Sequence, residues 1–430
     1  MTFRIHNLHH FAFFLRAKYF AAILLLVLAA AVSARAQQEE EVRGAPAEPD
    51  DAAEVRAQIA AVEKLLPTFT DRGAALFFLA ASKQRLGETR AALELLQQCV
   101  NLDEGFDPSG GPEFLGLHNE RAFTALVERA HQRFPAAANS RVVLVTEEKD
   151  LVPEGLAWDA KREMFYLSSL HLKKIVQIAP NSHASDFLPA QSNSLLPILG
   201  IRADPNDGTV WANSMQDSGA KAGKTELLHI DAQGKLLARF SPARSAPHGF
   251  NDLVIRKTGD VFVTDSIANL VFQFDPKTKV FSELKIHRPL FYPNGIAIAD
   301  DERTLYIADS LGVIRFDTAN SSSVDVAPGP HATLAGADGL YWYHGSLIAI
   351  QNGIGTPRVA AFKLSSDGSR VTRVNILEYR TKFTELPTTG AIRGSDFYFI
   401  SNSQLDNLNG DKILDQTRLA PVRIAVVRLP

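Results

Sequence analysis

The stretch PNGIAIADDERTLYIADS, residues 293–310, runs through a small-residue start, a short apolar segment, a charged turn and a second strand ending in Asp-Ser. Apolar runs on both sides of a DDERT turn are a hairpin signal. The pattern recurs as PEGLAWDAKREMFYLSS (153–169), LGIRADPNDGTVWANS (199–214), NDLVIRKTGDVFVTDS (251–266), ADGLYWYHGSLIAIQN (337–352) and TGAIRGSDFYFISNS (389–403). A further apolar strand follows most copies, such as VFQFDP (271–276) or VIRFDT (313–318). Aligned on their first polar or small residue, the copies start at Glu154, Leu199, Asn251, Asn294, Asp338 and Thr389. The spacing averages about 47 residues, the period of a four-stranded propeller blade. The prediction is a mainly β fold, a six-bladed β-propeller over residues 141–430. The last strand, IAVVRL (424–429), is expected to complete the final blade and close the ring.

The segment before the repeats differs in composition. Residues 51–135 are rich in Ala, Leu, Glu, Gln and Arg with helical apolar spacing. Residues 53–66 read as one helix stopped by Pro67, residues 75–102 as two helices joined at Gly87, and residues 112–134 as two short ones. The middle pair resembles one tetratricopeptide repeat, with Leu79, Gly87, Ala92 and Leu96 at its packing and turn positions. One repeat is too few for a free-standing solenoid. A small α-helical domain is therefore expected, either capping the rest of the chain or docking a protein partner.

Residues 1–36 read as an export signal. Arg4, Arg16 and Lys18 precede the apolar run Phe20–Val32, and Ala34-Arg35-Ala36 offers the small-x-small cleavage pattern, with Gln37 as first mature residue. The acidic stretch 37–50, with Pro46 and Pro49, reads as a linker. An exported protein, periplasmic or secreted, with no membrane span in the mature chain is expected. Of the 430 residues 46% are hydrophobic and 22% charged, which excludes wholesale disorder, and the net charge of −3 excludes a strongly basic nucleic-acid binder. The single cysteine, Cys99, excludes an intrachain disulfide or a thiolate cluster, and it lies in an apolar helical run where burial is expected.

The innermost strand of each blade faces the channel, so equal register positions converge on one axial level. Four of the six are carboxylate or carboxamide oxygen donors: Glu154, Asn251, Asn294 and Asp338. A Glu and an Asp buried together repel, and a hard divalent cation removes the conflict. Calcium takes six to eight oxygens and suits this set, with magnesium or manganese as substitutes. The register holds no His or Cys, which disfavours zinc and copper. The DNLNGDKILD segment (406–415) has its Gly out of register for an EF-hand and reads as a polar turn.

These copies, above all PEGLAWD, FNDLVIRKTGDVFVTDS, YPNGIAIADDERTLYIADS and ADGLYWY, resemble the senescence marker protein, gluconolactonase and luciferin-regenerating enzyme family of calcium-dependent propeller hydrolases. The resemblance implies metal ligands at Glu154, Asn294 and Asp338, with Asn251 bordering metal or substrate. It also implies Asp338 as the catalytic carboxylate. Sugar-lactonase members carry Arg two positions before the ND pair; here that position is Gly249, which argues against a polar sugar-acid lactone. His248, Phe250, Phe291, Tyr292 and Trp342 are candidates for the channel mouth and the substrate, with loop or blade packing as the alternative. The function expected is a metal-dependent lactonase or esterase acting on a small lactone, ester or phosphoester. Two alternatives stand beside it: a non-catalytic binding module with structural calcium, and a metal-free strictosidine-synthase-like propeller.

Overall fold

A computed structural model describes residues 49–179, 183–190, 194–216, 223–243, 247–381, 384–410 and 412–430. The export signal and nearly all of the linker lie outside the described residues. Six antiparallel sheets are arranged in chain order as the blades of a propeller. Their inner strands are Leu156–Asp159, Ile198–Ala203, Phe250–Ile255, Ile296–Ile298, Ala337–Tyr343 and Gly390–Arg393. Blades 1 to 4 each run in simple up-and-down order through four strands. Blade 5 has a fifth, outermost strand, Ala137–Ala138, which pairs with Val371–Tyr379.

Closure differs from the sequence expectation. Arg423–Arg428 is the third strand of blade 6, and the outermost is Arg141–Val145, from the start of the repeat region. The ring is therefore fastened by pairing the first propeller strand with the last. Five residues of RVVLV before a polar loop carry no repeat signature, so the sequence alone did not reveal this.

Glycine follows the register residue in five blades, and the reason is backbone proximity. A Cβ at Gly155 would lie 2.3 Å from the Leu199 carbonyl oxygen, at Gly200 2.6 Å from that of Asn251, and at Gly295 2.8 Å from that of Asp338. Each glycine thus lets its inner strand approach the register residue of the next blade. Blade 3 uses Asp252 instead, whose carboxylate accepts from the Ile296 backbone N–H in blade 4.

The helices before the propeller are α1 (Pro49–Leu65), α2 (Arg72–Arg85), α3 (Thr89–Asn101) and α4 (Arg121–Arg133). Gly87, at φ +74°, makes the turn between α2 and α3, and Leu79, Ala92, Leu96 and Cys99 are buried. This region packs against blades 4 and 5. Phe77, Phe106 and Phe114 share an apolar cluster with Ala335 and Ile354, and Val55, Ile59 and Leu79 share another with Phe291 and Leu311. Asp71 joins the two parts: it caps α2 through the Ala74 N–H and accepts from Thr333 Oγ1 and the Leu334 N–H. Among the described residues no helix is long and apolar enough to cross a membrane.

Gly295→Ala is expected to lower stability by roughly 1–3 kcal/mol, since its methyl would meet neighbouring backbone that cannot yield. Urea unfolding checks this. Gly87→Ala serves as a reference, where nothing lies within 4 Å and only the positive φ resists.

Candidate metal centre and its cavity

The four carboxylate and carboxamide register residues come together at one end of the channel. Glu154, Asn251, Asn294 and Asp338 line a cavity of about 370 Å³, joined by Leu199 from blade 2. Each sits just before or at the start of an inner strand. The sixth register residue takes another role. Thr389 Oγ1 bonds the Glu154 carbonyl oxygen and accepts from the Leu156 N–H, so it pins blade 6 to blade 1.

The amide orientations follow from the partners. Asp338 Oδ1 receives the Asn294 Nδ2 at 2.7 Å, and its Oδ2 receives the Asn352 Nδ2. An ionised carboxylate only accepts, so opposite ionised Asp338 the Asn294 amide presents its nitrogen and turns its oxygen elsewhere. Ser266 Oγ donates to the Pro293 carbonyl oxygen at 2.7 Å, leaving lone pairs for Asn251 Nδ2 at 3.0 Å. Asn251 too is left with a free oxygen. Asn251 Oδ1, Asn294 Oδ1 and Glu154 Oε2 are all buried without a hydrogen-bond partner among the described residues. Three orphaned acceptors from three blades are costly unless a donor or a cation meets them. Among the described residues no group of three His, Cys, Asp or Glu is placed to hold a metal. Here two carboxylates are completed by two carboxamides, a donor set that fits a hard, oxygen-seeking ion.

Electrostatics agree. Burial, then the charges of Asp338 and Asp252, push the Glu154 carboxyl well above the usual carboxylate range. Burial raises Asp338 from 3.8 to about 7, against the hydrogen bonds from Asn352 and Asn294. Beneath them Arg202 pairs with Asp252 at 2.9 Å and lies over the Tyr341 ring at 5.3 Å, while Tyr341 Oη accepts from the Gly390 N–H. Burial raises Asp252 despite that guanidinium. Three carboxylates against one guanidinium leave two negative charges when all are ionised, the balance a divalent cation completes.

Several candidates for the mouth fall elsewhere. Tyr292 lines the cavity and is 53% exposed, with a left-handed backbone at φ +53°. Phe250 is fully buried against Phe272 and Phe281, a core residue rather than a substrate contact. The strand is bulged here, its register shifting between Phe250 and Leu253, and Phe250 joins Leu253 in the core while Asn251 between them lines the cavity. His248 is bound by Nδ1 to Asp265 Oδ2 at 2.7 Å and borders a separate depression beside Thr225 and Ser241, not this cavity. Phe291 packs edge-on against Phe78 of α2, and Trp342 stacks on Tyr306. The sequence reading did not single out Asn352, Ser266, Arg202, Asp252 or Tyr341. Asn352 closes its repeat copy in the Ser/Asn position, the one signal that could have found it; Arg202 and Asp252 act only through cross-blade contacts.

Three comparisons bear on this site. The family described as SMP-30/Gluconolactonase/LRE-like region matches residues 152–325, blades 1 to 4, a span that holds Glu154, Asn251 and Asn294 and stops before Asp338. No curated protein matches. Among solved structures, a gluconolactonase from Xanthomonas campestris is 16% identical with a TM-score of 0.45, covering 69% of this chain and 98% of that one. A virginiamycin B lyase from Staphylococcus aureus, catalytically inactive and solved with quinupristin, is 14% identical with a TM-score of 0.48, covering 68% and 99%. A luciferin-regenerating enzyme is 15% identical with a TM-score of 0.46, covering 66% and 95%.

Asp338 fixes a pH dependence for the metal-free protein. Its folded value of about 7 exceeds its ordinary 3.8, so the folded form holds a proton that the unfolded chain releases. Stability is then lost as pH rises from about 4 to about 7. Melting in EDTA is expected to fall over that window, and the stabilisation from added calcium to grow with it. A calcium shift equal at about pH 5 and about pH 8 would count against the carboxylate pair as its site.

Proposed function

We propose that this chain, which resembles the SMP-30/gluconolactonase/LRE-like family over its first four blades, is a metal-dependent hydrolase of the lactonase or esterase type. The observation that carries the reading is the trio of partnerless buried oxygens on Glu154, Asn251 and Asn294, beside Asp338 and below an open cavity. A divalent cation held by Glu154, Asn251, Asn294 and Asp338, calcium by its oxygen donors with magnesium or manganese as substitutes, would supply Lewis-acid polarisation of an ester, lactone or phosphoester oxygen.

The remaining work falls to the chain. Asn294 and Asn352 hold the Asp338 carboxylate from both oxygens, fixing the direction in which it can take a proton. Asp338, the carboxylate of the donor set held from both sides, suits the role of general base: it takes a proton from attacking water and returns it to the departing alkoxide. The new bond joins the water oxygen to the carbonyl carbon, or to phosphorus in a phosphoester, and the bond broken joins that same atom to the leaving-group oxygen. Neutral Asn251 and Asn294 complete the donor set without adding charge.

Asp338→Ala with Asn294→Ala tests this in protein purified without chelator. Elemental analysis is expected to find about one divalent ion per wild-type chain and much less in the double variant. A panel of lactones, aryl esters and phosphotriesters is expected to be hydrolysed by wild type and not in EDTA. Absence of bound metal and of calcium stabilisation would sink the mechanism and favour a non-catalytic binding module, while full activity in EDTA would favour the metal-free alternative.

We also propose export to the periplasm or the medium, on the strength of the residues 1–36 signal alone. Intact mass of the protein from its native cell is expected to show Gln37 as the first residue. An uncleaved N-terminus would contradict this.

A further inference from the structure

The cavity over Asp338 has two unlike sides. Asn251, Asn294, Asp338 and Asn352, from blades 3 to 5, form the polar side with Glu154. Blades 1, 2 and 6 supply the other: Leu170, Pro197, Leu199, Met215, Leu405 and Leu408. Leu405 and Leu408 belong to a long excursion, residues 401–422, between the second and third strands of blade 6.

That excursion is held in place. Gln404 donates to the Lys149 carbonyl oxygen and accepts from the Ala420 N–H, bridging it to the entry of blade 1. Asn407, buried, exchanges bonds with the Asp415 backbone in both directions. Leu408 pairs with Ile413 in a short hairpin. The apolar side is thus pre-organised rather than a loose loop.

Its chemistry excludes one substrate class and suits another. A polyhydroxylated ring turned toward these six side chains would surrender water at each hydroxyl with no side-chain partner in return. An alkyl or aryl group gains by burial there. The reacting carbonyl then lies on the opposite, oxygen-lined side.

We propose that the substrate is an ester or lactone with an apolar alkyl or aryl body, selected by Leu405 and Leu408 of the blade 6 excursion facing the blade 2 side. This rests on the hydrolase reading above. The two residues are specificity determinants, not catalytic residues.

The experiment measures kcat/KM for γ-lactones with no side chain, a propyl and a heptyl chain, beside glucono-1,5-lactone, in wild type and in Leu405→Ser with Leu408→Ser. Full burial of a methylene corresponds to about fourfold, so a heptyl preference over the unsubstituted ring of at least about tenfold is expected in wild type. The double variant should reduce that ratio by about tenfold, mainly through KM. Leu408→Met should retain it and shows that the excursion still folds. A flat chain-length profile, a preference for glucono-1,5-lactone, or an unchanged ratio in the double variant would overturn the proposal. If no lactone is hydrolysed, the catalytic reading fails by itself. Calorimetric binding of the unhydrolysable heptyl γ-lactam then decides: affinity that rises with chain length and is lost in the double variant supports the apolar side, and no binding overturns it.

Discussion

The close approach of the six inner strands at one end of the channel is the constraint on which the rest depends. At Gly155, Gly200 and Gly295 a side chain would strike the carbonyl of the next blade's register residue. Removing the Cβ brings neighbouring register positions within reach of one another. That proximity makes the arrangement useful and expensive at once. Glu154 and Asp338 are forced together out of water, and burial opposes the ionisation of both.

The chain answers this cost with neutral oxygens and one guanidinium. Asn251 and Asn294 bring acceptors without charge, and each has its nitrogen occupied so that its oxygen stays available. Arg202 reaches Asp252 from the neighbouring blade and lowers the repulsion beneath the site. With all three carboxylates ionised, two negative charges and three orphaned acceptors remain. Such a cluster is costly unless a donor or a cation meets its oxygens. The helical region bears on the same neighbourhood. Phe291, which touches Phe78, directly precedes Tyr292 of the cavity, and Asn352 lies two residues before Ile354 of the helical core. Its packing therefore holds loops of blades 4 and 5 that carry the site's polar side.

Much of this was legible in the chain itself. Six copies of one hairpin pattern specify six blades, because period and alternation are local properties that burial then selects. Register equivalence is also local, so Glu154, Asn251, Asn294 and Asp338 could be grouped before any coordinates. What failed were inferences from adjacency. Phe250 and His248 neighbour Asn251 in sequence, yet a bulged strand turns one into the core, and a hydrogen bond with Asp265 holds the other at a different depression.

The sequence by itself determined the blade count, the helical preface and the level at which four oxygens meet, since each is a matter of period or register. Tertiary structure alone decided which amide oxygens stay unpartnered, because that depends on Ser266, Pro293 and Asn352 arriving from other strands. It also decided that Arg141–Val145 fastens the ring, as strand pairing across the whole chain leaves no local trace. The apolar side was settled the same way: Leu408 lies in the 406–415 segment that reads as a polar turn, Leu405 just before it, and only the folding of blade 6 brings them to the cavity.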